Sequence, residues 1–305
     1  MPQAMSDPII HVFNQHAMAT QFQARIAGEE RNYAAQAAQA AFALADRLES
    51  HLSRFRANSD ISQIAQLAPG EKLRVSEPVF ACLEIAKKME LATRGAFSIT
   101  AAALKTQSAR PQWSLAKEQF SVRCDCGKLE FDLGAIGKGF ALDRMAEVLR
   151  EWDCPAFLLV AGGSSILAGE PPLGTAGWSC GLGDDNSPQR FWLKNGSLSG
   201  SGLAVKGRHI FDPRTGEPAA QKNRAWALCP TAAESDALST AAMVLDEANV
   251  ASVILSLNKS MIWLHDGREW KQFGNRKGLE DAHSSLNAAA DNMGSGQLFP
   301  HKQIL

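Results

Sequence analysis

Phe131-Asp-Leu-Gly-Ala-Ile-Gly-Lys-Gly-Phe140 follows an apolar strand and opens a helix. It gathers Asp132, Lys138 and three glycines into one short turn. A lysine on a glycine-rich turn suits a phosphate, because free backbone N–H groups point outward at a helix start. The spacing is not that of a P-loop. Only two residues separate Gly134 from Gly137, and Gly139 follows Lys138 where Ser or Thr would bind magnesium. By itself the segment supports an anion-binding turn or a glycine-rich connection that needs positive φ. A second segment, Glu234-Ser-Asp-Ala-Leu-Ser-Thr240, sets Asp236 and Thr240 four residues apart on an expected helix, so their oxygens face one way. A carboxylate and a hydroxyl on one face suit a hard cation such as magnesium. Read alone, Asp236 is also a first-turn acid favoured by the helix dipole, and Thr240 an ordinary helical threonine. Together the two segments suggest a metal-assisted phosphate site.

Outward from this turn, strands and helices alternate irregularly. Gly139 to Trp152 reads as an amphipathic helix through Leu142, Met145, Ala146 and Leu149, and Phe157 to Ala161 as a buried strand. Upstream, Ile10 to Ile26 reads as one or two strands and Glu30 to Leu52 as an alanine-rich helix. Ser59 to Ile64 reads as a short helical turn capped by Ser59 or Asp60. Ser76-Glu-Pro78 starts a helix that runs to Ala92, with proline near the first turn, and Arg94-Gly95 ends it. Trp113 to Phe131 reads as two strands around Cys124 to Lys128. Downstream come strands within Thr175 to Leu198, a strand at Ala225 to Leu228, helices at Ser235 to Leu245 and Ala248 to Leu257, and a strand at Met261 to Leu264. No clean βαβ repeat emerges, so the expected class is α+β, with mixed or antiparallel sheets and flanking helices. Residues 1–273 are expected to form one domain, in which two lobes could intertwine. The polar stretch 274–305 has little periodicity and is expected to be a flexible tail.

Composition narrows the function classes. The chain has 305 residues, 45% hydrophobic and 21% charged, an ordinary globular balance. A net charge of −1 leaves no electrostatic footprint for nucleic acid. No apolar run reaches the roughly 18 residues of a membrane span. Met1 to Gly28 shows neither a basic n-region nor an apolar h-region, so no signal peptide is read and a cytoplasmic location is expected. The six scattered cysteines then read as reduced thiols. Cys124 and Cys126 form a C-x-C pair, either a metal or redox site or two same-facing positions on a strand.

Two further motifs stand out. Ala161-Gly-Gly-Ser-Ser165 follows the apolar strand, and its glycines permit either close approach of a flat ligand or a tight turn. His209-Ile-Phe-Asp-Pro-Arg-Thr-Gly216 runs from a strand into strong turn chemistry. His209 is there a candidate base or phosphate ligand, or a satisfied structural histidine.

In this order the motifs resemble the FAD:protein FMN transferase family, also called ApbE-like flavin transferases. The resemblance runs from about Val12 to Gly267. It rests on Met18-Ala-Thr20, on Leu52-Ser-Arg-Phe55 with Ser59-Asp-Ile-Ser62, and on Gly95-Ala-Phe-Ser-Ile-Thr100. It also rests on Asp132 to Asp143, Ala161 to Gly163, His209 to Gly216 and Glu234 to Ala241. The resemblance implies a T-fold-related architecture and a magnesium-dependent enzyme that holds FAD as substrate. A Ser or Thr hydroxyl of a partner flavoprotein attacks the FMN-side phosphorus, and AMP leaves. An FAD-binding carrier without turnover and an FAD pyrophosphatase giving FMN and AMP are the alternatives.

Carried over residue by residue, the resemblance puts Asp236 and Thr240 on the metal through their side chains and Ala135 through its carbonyl. Met18, Phe55, Ala96, Phe97, Ser98, Asp132, Lys138, Gly162, Gly163 and Ile210 would line the FAD site. Asp236, His209 and Lys138 would serve catalysis. The chain departs from the pattern at Gly137, where alanine is usual, and at Ser98, where an acid is usual. It departs again at Ser164, where an acid or amide is usual, and in a short loop from Leu198 to Arg208. Typical members are exported or lipid-anchored.

Overall fold

In the computed structural model the described residues are 8–105, 110–182, 189–202, 210–219, 222–257 and 259–274. The expected tail (274–305, apart from Gly274), His209 and most of the shortened loop lie outside them. Thirteen strands and six α-helices are found among the described residues. In chain order they are β1 (Ile10–Ala17), β2 (Thr20–Ala27), α1 (Arg31–Leu52), α2 (Asp60–Ile64), β3 (Lys72–Arg74), α3 (Glu77–Ala92), β4 (Gln112–Ala116) and β5 (Ser121–Cys126). Then come α4 (Gly137–Glu151), β6 (Phe157–Ala161), β7 (Ser165–Ala168), β8 (Trp178–Leu182), β9 (Gln189–Leu193) and β10 (Gly196–Gly202). The last are β11 (Arg224–Cys229), α5 (Ala232–Ala242), α6 (Glu247–Ser256), β12 (Met261–His265) and β13 (Trp270–Phe273).

Eight strands form one antiparallel sheet in the order β1-β2-β6-β7-β10-β11-β12-β13. Its strand β6 is apolar without interruption because both faces are covered. Phe157, Leu159 and Ala161 of β6 point into the core shared with α1, α4 and α5. Leu158 and Val160 point the other way, into a second cluster closed by the β8–β9 hairpin through Trp178, Cys180 and Leu193. Period-two alternation thus divides one run between two cores. The protein is α+β, with antiparallel sheets and flanking helices.

Local chemistry explains most element ends. Ser59 is the cap of α2, its Oγ accepting from Ser62 N–H at 3.0 Å. Arg94 and Gly95 stop α3 with positive φ, 53° and 77°. Three of the boundaries that differ from the sequence expectation have a clear structural cause. Helix α5 starts at Ala232 rather than Ser235, because Thr231 caps it and Glu234 follows three residues later. Helix α4 starts at Gly137, two residues early, because its first turn is capped from elsewhere in the fold. The two strands between Trp113 and Phe131 turn at Lys117–Phe120, not around Cys124 to Lys128. Phe120 takes φ 44° there, a left-handed conformation that an aromatic residue does not advertise. Cys124 is buried and Cys126 exposed, and no described group of three or more His, Cys, Asp or Glu could hold a metal. The short strands β3, β7 and β13 fall outside the expected set.

Candidate functional site

Helices α4 and α5 meet where the two opening segments meet. They pack so closely that a Cβ on Gly139 would lie 2.1 Å from the carbonyl oxygen of Ala232. Each helix closes the other's N-terminus. Asp143 of α4 accepts from Ala232 N–H and Ala233 N–H of α5, at 2.7 and 2.9 Å. Asp236 of α5 accepts from Gly139 N–H of α4 through Oδ2 at 2.8 Å. A carboxylate at a helix N-terminus satisfies orphan N–H groups and the dipole together. Burial nevertheless pushes the Asp143 carboxyl up to about 7, outweighing its two N–H donors, with Asp236 and Glu234 adding to the rise. The far end of α5 is closed by Lys222, whose ammonium donates to the carbonyls of Ala242 and Leu245. Burial brings that lysine down to about 8.

Asp236 is 5% exposed and is the centre of this junction. Its Oδ1 accepts from Ser165 Oγ at 2.6 Å, and Lys138 Nζ stands 3.7 Å from Oδ2. Thr240 Oγ1 donates back to the Asp236 carbonyl at 3.1 Å and lies 3.2 Å from Ser201 Oγ. Helix α4 takes up the carbonyl of Ile136 through Phe140 N–H. Because Gly139 N–H turns to Asp236, the Ala135 carbonyl stays outside the helix ladder. Lys138, Asp236, Thr240 and the Ala135 turn therefore come together. Neither Asp143 nor Glu147 pairs with Lys138. Asp143 caps α5, and Glu147 pairs with Arg144 at 2.9 Å.

A second group borders the junction. Asp132 holds its own turn by accepting from Gly134 N–H at 2.9 Å, and it pairs with Arg54 at 3.1 Å. The Arg54 guanidinium lies over the ring of Phe55, which is 85% exposed. The Asp132 N–H donates to Ile99 O at 2.7 Å, tying the Gly95–Thr100 loop to the glycine turn. Ala96, Phe97 and Ile210 are buried in the main core, so their side chains pack inward. Arg110 joins this loop to the 210–219 turn, donating to Pro213 O at 2.7 Å.

Met18 and Ala19 make the two-residue β1–β2 turn, both with positive φ, and Met18 N–H donates to Glu49 Oε2 at 2.8 Å. Gly162 and Gly163 turn β6 into β7, also with positive φ. A Cβ on Gly162 would meet Thr20 Oγ1 at 2.6 Å, so the two turns lie side by side. The tight turn needs these glycines whatever else approaches them.

Four neighbours of this site are not among the residues expected to build it. They are Ser165, Glu90, Glu49 and Arg54. Glu90 bears on the departure at Ser98, because the Ser98 hydroxyl donates to Glu90 Oε1 at 2.7 Å. Helix α3 thus sets a carboxylate beside the position where the chain itself carries only a hydroxyl.

The ApbE family model matches residues 18–263. Among curated relatives, an FAD:protein FMN transferase of Klebsiella pneumoniae (strain 342) is 27% identical over 212 residues, covering 58% of this chain and 65% of the relative. A second FAD:protein FMN transferase of that organism is 24% identical over 181 residues, covering 55% and 51%. This chain spans less than two thirds of the length of either relative. The flavinyl transferase ApbE of Pseudomonas stutzeri, apo form, superposes with a TM-score of 0.75 at 16% identity, over 92% of this chain and 98% of that one. The ApbE protein of Thermotoga maritima does so with 0.74 at 22% identity, over 87% and 97%. The likeness to these structures is one of fold. No described helix is long and apolar enough to cross a membrane. With the family pattern matched across most of the chain, and with both α4 and α5 inside the matched span, the chain belongs to the ApbE family.

Proposed function

We propose that this protein is an FAD:protein FMN transferase that moves FMN from FAD to a Ser or Thr hydroxyl of a partner flavoprotein. The observation that carries this is the Asp236 carboxylate, buried between α4 and α5, 3.7 Å from Lys138 Nζ and one helical turn before Thr240. The donor set fits magnesium. Each Asp236 oxygen accepts one protein hydrogen bond and retains lone-pair capacity. Thr240 offers a hydroxyl oxygen, and Ala135 a carbonyl outside the helix ladder. Hard oxygen donors in small number are the usual protein share of a magnesium site that also takes substrate phosphates. When bound, the cation would neutralise charge on the pyrophosphate.

The chain's own groups would do the rest. Lys138 would turn its ammonium from Asp236 to phosphate oxygens as a point charge. The acceptor oxygen bonds to the FMN-side phosphorus, the bond from phosphorus to the bridging oxygen breaks, and AMP leaves with that electron pair. The acceptor's proton passes to a base, for which His209 is the candidate by resemblance. Phe55 offers an exposed aromatic face, and the paired turns at Met18 and Gly162 offer backbone to a flat ligand.

Intact-mass spectrometry tests the proposal. The protein is mixed with FAD, magnesium and candidate acceptor flavoproteins. An FMN adduct on an acceptor, with one AMP released per adduct, is the expected result. AMP release without any acceptor would mean pyrophosphatase activity, and tight FAD with neither product would mean a carrier.

A further inference from the structure

We propose that Ser165 is a positioning residue for the divalent cation, holding the Asp236 carboxylate in the plane from which it ligates. The proposal rests on the metal role of Asp236 put forward above.

Strand β7 reads Ser-Ile-Leu-Ala and is buried at all four positions. Its one polar side chain, Ser165, is 0% exposed. A buried hydroxyl is costly unless it is paired. Ser165 is paired with one atom, Asp236 Oδ1, 71 residues away, at 2.6 Å. The strand cannot shift this hydroxyl. Ser165 is in register with Ala161 of β6 on one side and Ser199 of β10 on the other.

The helix opposite is fixed as well. Ser197 and Ser199 of β10 both bond to Ser235 of α5 at 2.8 Å, and Ser201 bonds to Ser239 at 2.9 Å. The carboxylate thus sits between two immobile donors, Ser165 O–H on Oδ1 and Gly139 N–H on Oδ2. Two donors on two oxygens fix the rotation of the carboxylate about its terminal bond. The remaining lone pairs then keep one direction. Outer-shell partners of this kind orient a ligand and raise metal affinity, and losing one weakens the metal roughly 10- to 100-fold.

A purely structural role predicts something else. Ser165 would then only satisfy a buried anion. Its loss would lower stability and leave metal affinity alone.

Calorimetric titration of magnesium or manganese into chelator-treated, FAD-free protein separates the two. Wild type, S165A, S165T and S165C are compared, with a thermal melt of each. S165A is expected to raise the metal Kd by roughly 10- to 100-fold, and S165T, which keeps the hydroxyl, to stay within about threefold of wild type. S165C, a weaker donor of similar shape, is expected to fall between them. It replaces S165A as the deciding variant if S165A does not fold. A folded S165A, or failing it S165C, with the wild-type metal Kd overturns the proposal. If wild type itself takes up neither cation, the metal role of Asp236 falls first, which the same titration reads directly.

Discussion

Both oxygens of Asp236 are engaged by the protein before any ligand arrives. Substituting it therefore has two separable effects. Asp236→Ala leaves Gly139 N–H, Ser165 O–H and Lys138 without their acceptor, and should cost on the order of 2–4 kcal/mol of stability. Asp236→Asn retains one acceptor oxygen, so its melting temperature should fall less. Both variants should lose magnesium-dependent FMN transfer by at least about 100-fold if the carboxylate is a ligand. A wild-type rate for Asp236→Asn at limiting magnesium would reduce Asp236 to a helix cap. Lys138 is the second residue to test. Its Nζ is 3.7 Å from Asp236, close enough to turn from one anion to another. Lys138→Met should weaken FAD binding by roughly 1–3 kcal/mol at low salt, the scale of a charge-assisted hydrogen bond. The gap should narrow at high salt, where the wild-type charge is screened. Unchanged affinity at low salt would take Lys138 out of the phosphate site.

At the scale of elements, α4 and α5 behave as one unit. The Gly139→Ala methyl would strike the Ala232 carbonyl, which is backbone and cannot swing aside. A loss of about 3 kcal/mol or more is expected, read as a lower denaturant midpoint. Asp143 gives this unit a pH dependence. Its folded-state pKa, about 7, lies well above the ordinary range of an aspartate, so the folded chain holds this proton more tightly than the unfolded chain. Stability from this group is full below about pH 4 and declines as pH rises toward 7, by on the order of 2–4 kcal/mol. Asp143→Asn should remove that decline, and denaturant melts at pH 5 and pH 7.5 measure it. An equal decline in the variant would assign the slope to other groups.

Much of this level is legible from sequence. Helix α1 shows itself by alanines and periodic Leu44, Phe42 and Leu48, and β6 by five apolar residues in a row. Asp236, Thr240 and Lys138 lie in short linear motifs, so they can be picked out without a fold. Ser165 and Arg54 also lie in such motifs, but their partners, like that of Glu49, cannot be read there. The partners of Ser165, Glu49 and Arg54 stand 71, 31 and 78 positions away (the last from 132 − 54), and pairing across such distances leaves no period to read. The onset of α4 is hidden for the same reason, since its cap belongs to another helix.

For the whole molecule, the eight-stranded sheet places helices on one face and the β8–β9 hairpin on the other. The candidate site lies at the helical face, so ligand binding and global stability should be linked. FAD with magnesium should raise the melting temperature of wild type by several degrees at ligand concentrations near 100 times Kd, about 2.7 kcal/mol of stabilisation. Neither ligand should do so in Asp236→Ala. The exchange of caps between α4 and α5 also bears on motion. Gly139 N–H is guarded by a side chain of α5, and the N–H groups of Ala232 and Ala233 by a side chain of α4. Neither first turn can fray while the other stays shut. In deuterium the three amides should therefore exchange with one shared opening free energy, as a single foldon assembled from segments about 90 residues apart in the chain.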